Sequence, residues 1–190
     1  MSVELAASGL WVLEVPPRHQ MDAPDPGGRG KRSEIFSGHG GRRRYSRVAS
    51  WPVKLTGERP IEGQTPDSLL ALHAAGYREV RDRIGAGRFL DVGCGLGDGT
   101  STFLAPERDV YGVDYDADTA LVAVKEWGGS GLRVACMDGS RLGLRTGSFD
   151  YVCSSHIIEH FVDPTGHVAE ISRVLAPGGT AFFITRNEPA

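Results

Sequence analysis

The 190-residue chain has no apolar run near the ~20 residues that span a bilayer, which excludes a membrane helix. It has three cysteines, Cys94, Cys136 and Cys153, an odd and sparse set. Such a set excludes a disulfide framework and a paired-cysteine zinc site, and it reads as reduced thiols in a cytoplasmic protein. No basic residue precedes Arg18, so the first residues lack the form of a secretory signal. Excess charge is also lacking, with a formal net of −3. The balance is uneven: residues 1–60 carry ten Lys/Arg against six Asp/Glu, leaving the remainder acidic. The cluster Arg42-Arg43-Arg44 with Arg47 has no interleaved aromatic platform, so it reads as a solvated basic stretch and nucleic acid is not the expected partner. An apolar content of 40% in this length suits one globular domain with a sizeable core.

What the chain does have is concentrated at residues 88–100. Phe89, Leu90 and Val92 form a short apolar run typical of a buried parallel strand. Glycines follow at 93, 95, 97 and 99, and a helix-like segment runs from Thr100 to Leu104. A strand passing through a glycine-rich turn into a helix is the ligand-cradling turn of doubly wound α/β folds, because glycine lets backbone approach a ligand closely. A dinucleotide fingerprint counted from Gly93 needs glycine at 98, where Asp98 stands. That weakens a nicotinamide-dependent oxidoreductase.

Around this turn the chain alternates strands and helices. Residues 1–44 are expected to be a disordered tail, rich in Pro, Gly and Arg over 16–44, although Leu10 to Leu13 are apolar enough for a stray strand. Residues 45–87 form an arm and a helix, with Thr65 as N-cap, Pro66 at the first helical position and a stripe through Leu69, Leu72, His73, Tyr77, Val80 and Ile84. His73 and Tyr77 are read as core. The domain proper spans 88–190. Its second strand, 109–114, ends on Asp114, 23 residues after Asp91, where doubly wound folds place a ribose-binding carboxylate. Tyr115 then offers a flat surface for an adenine, and Asp116 is free to cap the next helix. A third strand ends at Cys136, a fourth covers 151–154, and Thr180 to Thr185 is a fifth after the Ala176-Pro-Gly-Gly179 turn.

The run Asp91-x-Gly93-x-Gly95-x-Gly97 resembles motif I of the class I S-adenosylmethionine (SAM)-dependent methyltransferases. Ser155-His-Ile-Ile-Glu-His-Phe-Val-Asp-Pro164 and Arg173-Val-Leu-Ala-Pro-Gly-Gly-Thr180 resemble segments of the type-11-like group of that family, and the likeness covers roughly residues 88–185. The resemblance implies a Rossmann-like doubly wound sheet and SAM as cofactor. The acceptor it implies is a small molecule methylated at O, N or C. The cofactor residues it implies are Asp91, Gly93, Cys94, Gly95, Gly97, Asp114, Tyr115, Asp138, Gly139, Ser154 and Ser155. Asp138 would meet the adenine amino group. His156 or His160 would serve as general base.

His156-Ile-Ile-Glu-His160 also matches H-x-x-E-H, in which two histidines one helical turn apart bind zinc beside a glutamate. Pro164 cuts any such helix short, so no metal is expected, with His156, Glu159 and His160 as the candidate set. The family sheet is ordered 3-2-1-4-5-7-6. Strands 3-2-1-4-5 are accounted for here and the last hairpin, strands 6 and 7, is missing. Strand five, with Phe182-Phe183-Ile184, should then be an open apolar edge through which the chain associates with itself or a partner. A non-catalytic or truncated SAM-binding module is the competing reading.

Overall fold

The computed structural model describes residues 2–5, 10–15 and 66–185. The basic cluster at 42–47, the arm at 45–64, Thr65 and the stretch expected to be disordered after residue 15 lie outside the described residues. Seven strands form one sheet: β1 (Ser2–Leu5), β2 (Leu10–Glu14), β3 (Gly87–Val92), β4 (Arg108–Asp114), β5 (Arg133–Cys136), β6 (Phe149–Ser155) and β7 (Leu175–Ile184). The helices are α1 (Asp67–Arg81), a short α2 (Asp98–Ser101), α3 (Ala117–Trp127) and α4 (Thr165–Val174). The sheet order is β1-β2-β7-β6-β3-β4-β5, with β3 to β7 mutually parallel. Strands β5-β4-β3-β6-β7 reproduce the expected 3-2-1-4-5 order.

The expectation of an open fifth-strand edge is corrected. β2 pairs antiparallel with β7, from Leu10 opposite Ile184 to Glu14 opposite Thr180, and β1 pairs antiparallel with β2. Residues from the start of the chain therefore occupy the two positions beside β7 that the family order gives to strands 7 and 6. Two of the first fifteen residues' segments are strands rather than tail. The cause lies in the pattern Leu10-Trp11-Val12-Leu13, where Leu10 and Leu13 are buried while Trp11 is 40% exposed. Apolar Phe182, Phe183 and Ile184 gain a hydrogen-bonded neighbour and so do not form a free edge. At the other end of the strand, Val15 exchanges backbone bonds with Gly178 and Gly179, where the Ala176-to-Gly179 run bulges β7 out of register with β6.

Two apolar cores sandwich the sheet. One gathers Leu90, Val92, Tyr111, Phe149, Val152 and Ile171 under α4. The other gathers Tyr77, Val80, Phe89, Phe103, Val110 and Phe182 under α1. α1 starts at Asp67 with Pro66 one place before it, in extended geometry, and stops at Arg81 instead of running to Gly85. Its stripe is buried at Tyr77 and Val80, but Leu72 is 48% exposed. Asp116 caps α3, its carboxylate accepting from the Asp118 N–H, which leaves Asp114 to the loop as expected.

If β2 seats on β7 as described, Leu10→Ala lowers stability by about 2–4 kcal/mol in a urea titration, the usual cost of emptying a buried leucine site. Trp11→Ala, on the exposed side, shifts the midpoint far less. Equal midpoints for wild type and Leu10→Ala would remove the N-terminal hairpin from the sheet.

Candidate functional site

The carboxyl ends of β3, β4, β5 and β6 open into one cleft of about 1220 Å³, roofed on one side by α1. It lies where the strand order reverses, between β3 and β6, the position at which doubly wound sheets bind ligands. Pockets for drug-sized ligands run to ~300–1,000 Å³, so the cleft is large enough for one such ligand with space to spare.

The glycine loop forms the floor. Gly93, Gly95 and Gly97 all have positive φ, a conformation that glycine adopts without strain. A side chain at Gly93 would meet Ile157 at 2.6 Å, and one at Gly97 would meet Trp127 at 2.8 Å, whereas Gly95 faces open space. The loop therefore needs Gly93 and Gly97 for packing, while Gly95 presents its backbone to the cleft. Gly99 is a further close approach, with the Tyr77 ring 2.5 Å from where a side chain would start.

Beneath the loop, Asp91 is fully buried at the end of β3. One carboxylate oxygen accepts from Tyr77 Oη at 3.1 Å and Thr100 Oγ1 at 2.5 Å, which ties α1 and α2 to the central strand. The other, Oδ1, has no hydrogen-bond partner. Burial pushes the Asp91 carboxyl up to about 7, against the pull of its two hydroxyl donors, and the neighbouring Asp114 adds a smaller upward push. Tyr77 is thus both core, as expected, and part of the cleft wall. Its pKa is raised well above the ordinary value by burial and by Asp91.

Asp114 stands at the end of β4, buried beside the loop. It accepts from the Gly95 N–H at 2.9 Å and the Asp116 N–H at 3.0 Å, so its carboxylate is fixed in direction at the rim of the cleft. Tyr115 follows, 67% exposed, with its ring on the same rim. After β5, the Asp138 carboxylate accepts from the Ser140 N–H and Oγ, bonds that hold its pKa below the usual carboxylate range.

Of the residues picked from sequence, Gly93, Cys94, Gly95, Asp114, Tyr115, Asp138, Gly139, Ser155, His156 and His160 line this cleft. Asp91, Gly97, Ser154 and Glu159 do not. Asp91 and Gly97 lie behind the loop. Ser154 turns away to hydrogen-bond His167 at 2.9 Å, so its side chain is taken up by the core. The buried Ser155 Oγ has no hydrogen-bond partner.

His156 and His160 do not share a helix face. His156 has φ +54, in the left-handed region, and Ile158–His160 is a single 3₁₀ turn. That geometry breaks the one-turn spacing on which zinc binding by H-x-x-E-H depends, and among the described residues no three His, Cys, Asp or Glu groups converge as a metal site. The His156 ring instead packs against His73 of α1, with ring centres 4.1 Å apart, and Glu159 lies 3.5 Å from its Nδ1. His73, read from sequence as core, lines the cleft.

Sequence reasoning also missed Arg78 and Arg81, one and two turns from His73 and Ala74 on the cleft face of α1. Their spacing, 73-74-77-78-81, is a helical stripe that the apolar pattern alone could not show.

Residues 90–183 match the family described as "Methyltransferase domain". The chain carries a class I methyltransferase domain of that family. A ubiquinone biosynthesis O-methyltransferase of Methylococcus capsulatus is 34% identical over 131 residues, which are 64% of this chain and 55% of the relative. A ubiquinone/menaquinone biosynthesis C-methyltransferase of Desulfotalea psychrophila is 29% identical over 56% of this chain and 44% of its own length. The methyltransferase domain thus sits in a chain that spans about half the length of the curated relatives it matches. A SAM-dependent methyltransferase structure from Aquifex aeolicus shares the fold, with 20% identity, a TM-score of 0.51, and coverage of 60% of this chain and 68% of that one.

The Asp91 carboxyl, held near 7 when folded against 3.8 otherwise, gives the ligand-free domain a pH signature. Its contribution is fully present below pH ~3.8 and is lost as pH rises through about 7, an effect of order 4 kcal/mol. In urea titrations from pH 4.5 to 7.5, the difference in stability between Asp91→Asn and wild type should grow in favour of the variant as pH rises. A difference that stays flat over that range would mean Asp91 is already ionised at the low end.

Proposed function

We propose that the domain transfers a methyl group from SAM to a small-molecule acceptor. The observation that carries this is a cleft with a glycine floor, two fixed carboxylates on its rim and a histidine on the facing wall. The residues fit the cofactor. Asp114 and Asp138 put carboxylates on the cleft, which suits a ligand that carries positive charge. Gly95 leaves its backbone clear, which lets a nucleoside lie against it.

When bound, SAM supplies a methyl group activated on a sulfonium. Asp114, already oriented by two backbone donors, has lone pairs to accept the ribose hydroxyl hydrogens. Tyr115 would stack on the adenine, and Asp138 and Gly139 would meet its edge. Arg78 and Arg81, which line the cleft, would pair with the cofactor's carboxylate.

Methyl transfer needs chiefly in-line alignment, and a base helps when the acceptor is a hydroxyl. His156 is the group we assign to that proton: its ring packs on His73, Glu159 lies 3.5 Å from its Nδ1, and its backbone holds the uncommon left-handed conformation. The acceptor wall around it, with Leu70, Ile157 and Phe161, is apolar. Together with the O-methyltransferase relative, that wall favours a flat apolar acceptor bearing a hydroxyl. The rival reading, a module that binds SAM without transferring its methyl group, is told apart by turnover on a panel of acceptors.

Calorimetric titration with S-adenosylhomocysteine tests the cofactor half. Wild type binds, and Asp114→Ala weakens binding at least about tenfold, the usual cost of losing charged hydrogen bonds. In an assay of methyl transfer to phenolic acceptors, His156→Ala lowers kcat by about 10²-fold or more while homocysteine-product binding stays unchanged. Folded wild-type protein that binds no S-adenosylhomocysteine would end this reading. An unchanged kcat in His156→Ala would move the base elsewhere.

A further inference from the structure

Behind the cleft, one imidazole joins three segments that the site depends on. His167 of α4 is fully buried. Its Nδ1 lies 3.0 Å from the carbonyl oxygen of Gly139, and its Nε2 lies 2.9 Å from Ser154 Oγ. A carbonyl only accepts, so Nδ1 carries the hydrogen and Nε2 accepts from the serine hydroxyl. Burial holds the ring's pKa below its ordinary value, which favours this neutral form. One ring face stacks on Phe161, at 4.7 Å and 19°, and Phe161 is itself part of the cleft wall.

The loop after β5 needs such a tie. Upstream, Met137 N–H donates to the Asp114 carbonyl, and downstream, Leu142 N–H donates to Glu170. Between those points Asp138 is exposed and its carboxylate is closed on Ser140 of the same loop. The Gly139 carbonyl ties this stretch to α4 through His167. Packing reinforces it: a side chain at Gly139 would lie 3.2 Å from both His167 Nδ1 and Val92 Cγ1.

We infer that His167 is a positioning residue for the adenine end of the cofactor site. By fixing the Gly139 carbonyl, it sets the direction of the Gly139–Ser140 peptide, whose N–H holds the Asp138 carboxylate that meets the adenine edge. The inference rests on the SAM reading above.

The test uses the whole chain and three variants, His167→Asn, His167→Gln and His167→Leu, each titrated with S-adenosylhomocysteine and with S-inosylhomocysteine, with thermal midpoints in parallel. The asparagine amide nitrogen falls near the place of Nδ1 and keeps the Gly139 bond. The glutamine amide falls near Nε2 and keeps only the serine side. Expected is near wild-type affinity for His167→Asn, and a loss of about tenfold or more for His167→Gln and His167→Leu. In those two the preference for the adenine over the hypoxanthine ligand also collapses, which a general loss of stability would not cause. Should the leucine variant not fold, the Asn/Gln pair decides alone. Affinities that follow the thermal midpoints with the base preference intact overturn the inference, as does wild-type binding in His167→Gln. Failure of wild type itself to bind S-adenosylhomocysteine removes the cofactor reading as well, and so is told apart from failure of this one.

Discussion

A carboxylate buried at the end of the central strand organises this domain. Asp91 sits with no exposure, and desolvating a charge there is costly unless donors compensate it. Tyr77 and Thr100 provide two, and by doing so they clamp α1 and the first turn after the glycine loop onto β3. The packing that follows depends on this clamp. Tyr77 in place forbids a side chain at Gly99, and the tight loop brings Gly93 under Ile157. The position of Ile157 in turn fixes where the chain leaves β6 towards His156. The floor, roof and facing wall of the cleft thus share one polar knot.

The parallel core was legible because its signals are local. Phe89-Leu-Asp-Val92 followed by glycines can hardly be anything but a buried strand entering a tight turn. Asp114 and Asp116 divide the ribose-side and capping tasks by their place relative to β4 and α3. Asp138, Gly139, Ser155 and His156 likewise reach the cleft because strand ends carry them there. Gly97 and Ser154 belong to the same motifs yet face the core, since successive residues at a strand end or turn point opposite ways. Motif membership gives the neighbourhood of a residue, and only the backbone direction gives its face.

Other features depended on pairings far apart in the chain. Nothing around Leu10 to Glu14 names its partner, and the pairing with β7 appears only once the sheet exists. His73 looked like one more member of an apolar stripe, but α1 overhangs the sheet, so residues on its cleft side, Arg78 and Arg81 included, meet ligand space instead of core. The H-x-x-E-H pattern suggested a metal because its spacing suits a helix. The positive φ of His156 ends that geometry, and it turns the ring towards α1.

The hairpin formed by β1 and β2 bears on how the molecule is made. In the family order the strands that shield strand five follow it directly, so they pair soon after it emerges during synthesis. Here the shielding strand precedes β7 in the sequence, with the other strands of the parallel sheet between them. β2 has β1 as its partner but waits for β7 while the intervening strands are translated, and its contact with β7 closes a loop that holds the rest of the parallel sheet. Such closure adds entropy cost only slowly with length but delays pairing. Folding is therefore most exposed to mispairing in the interval before β7 docks between β6 and β2.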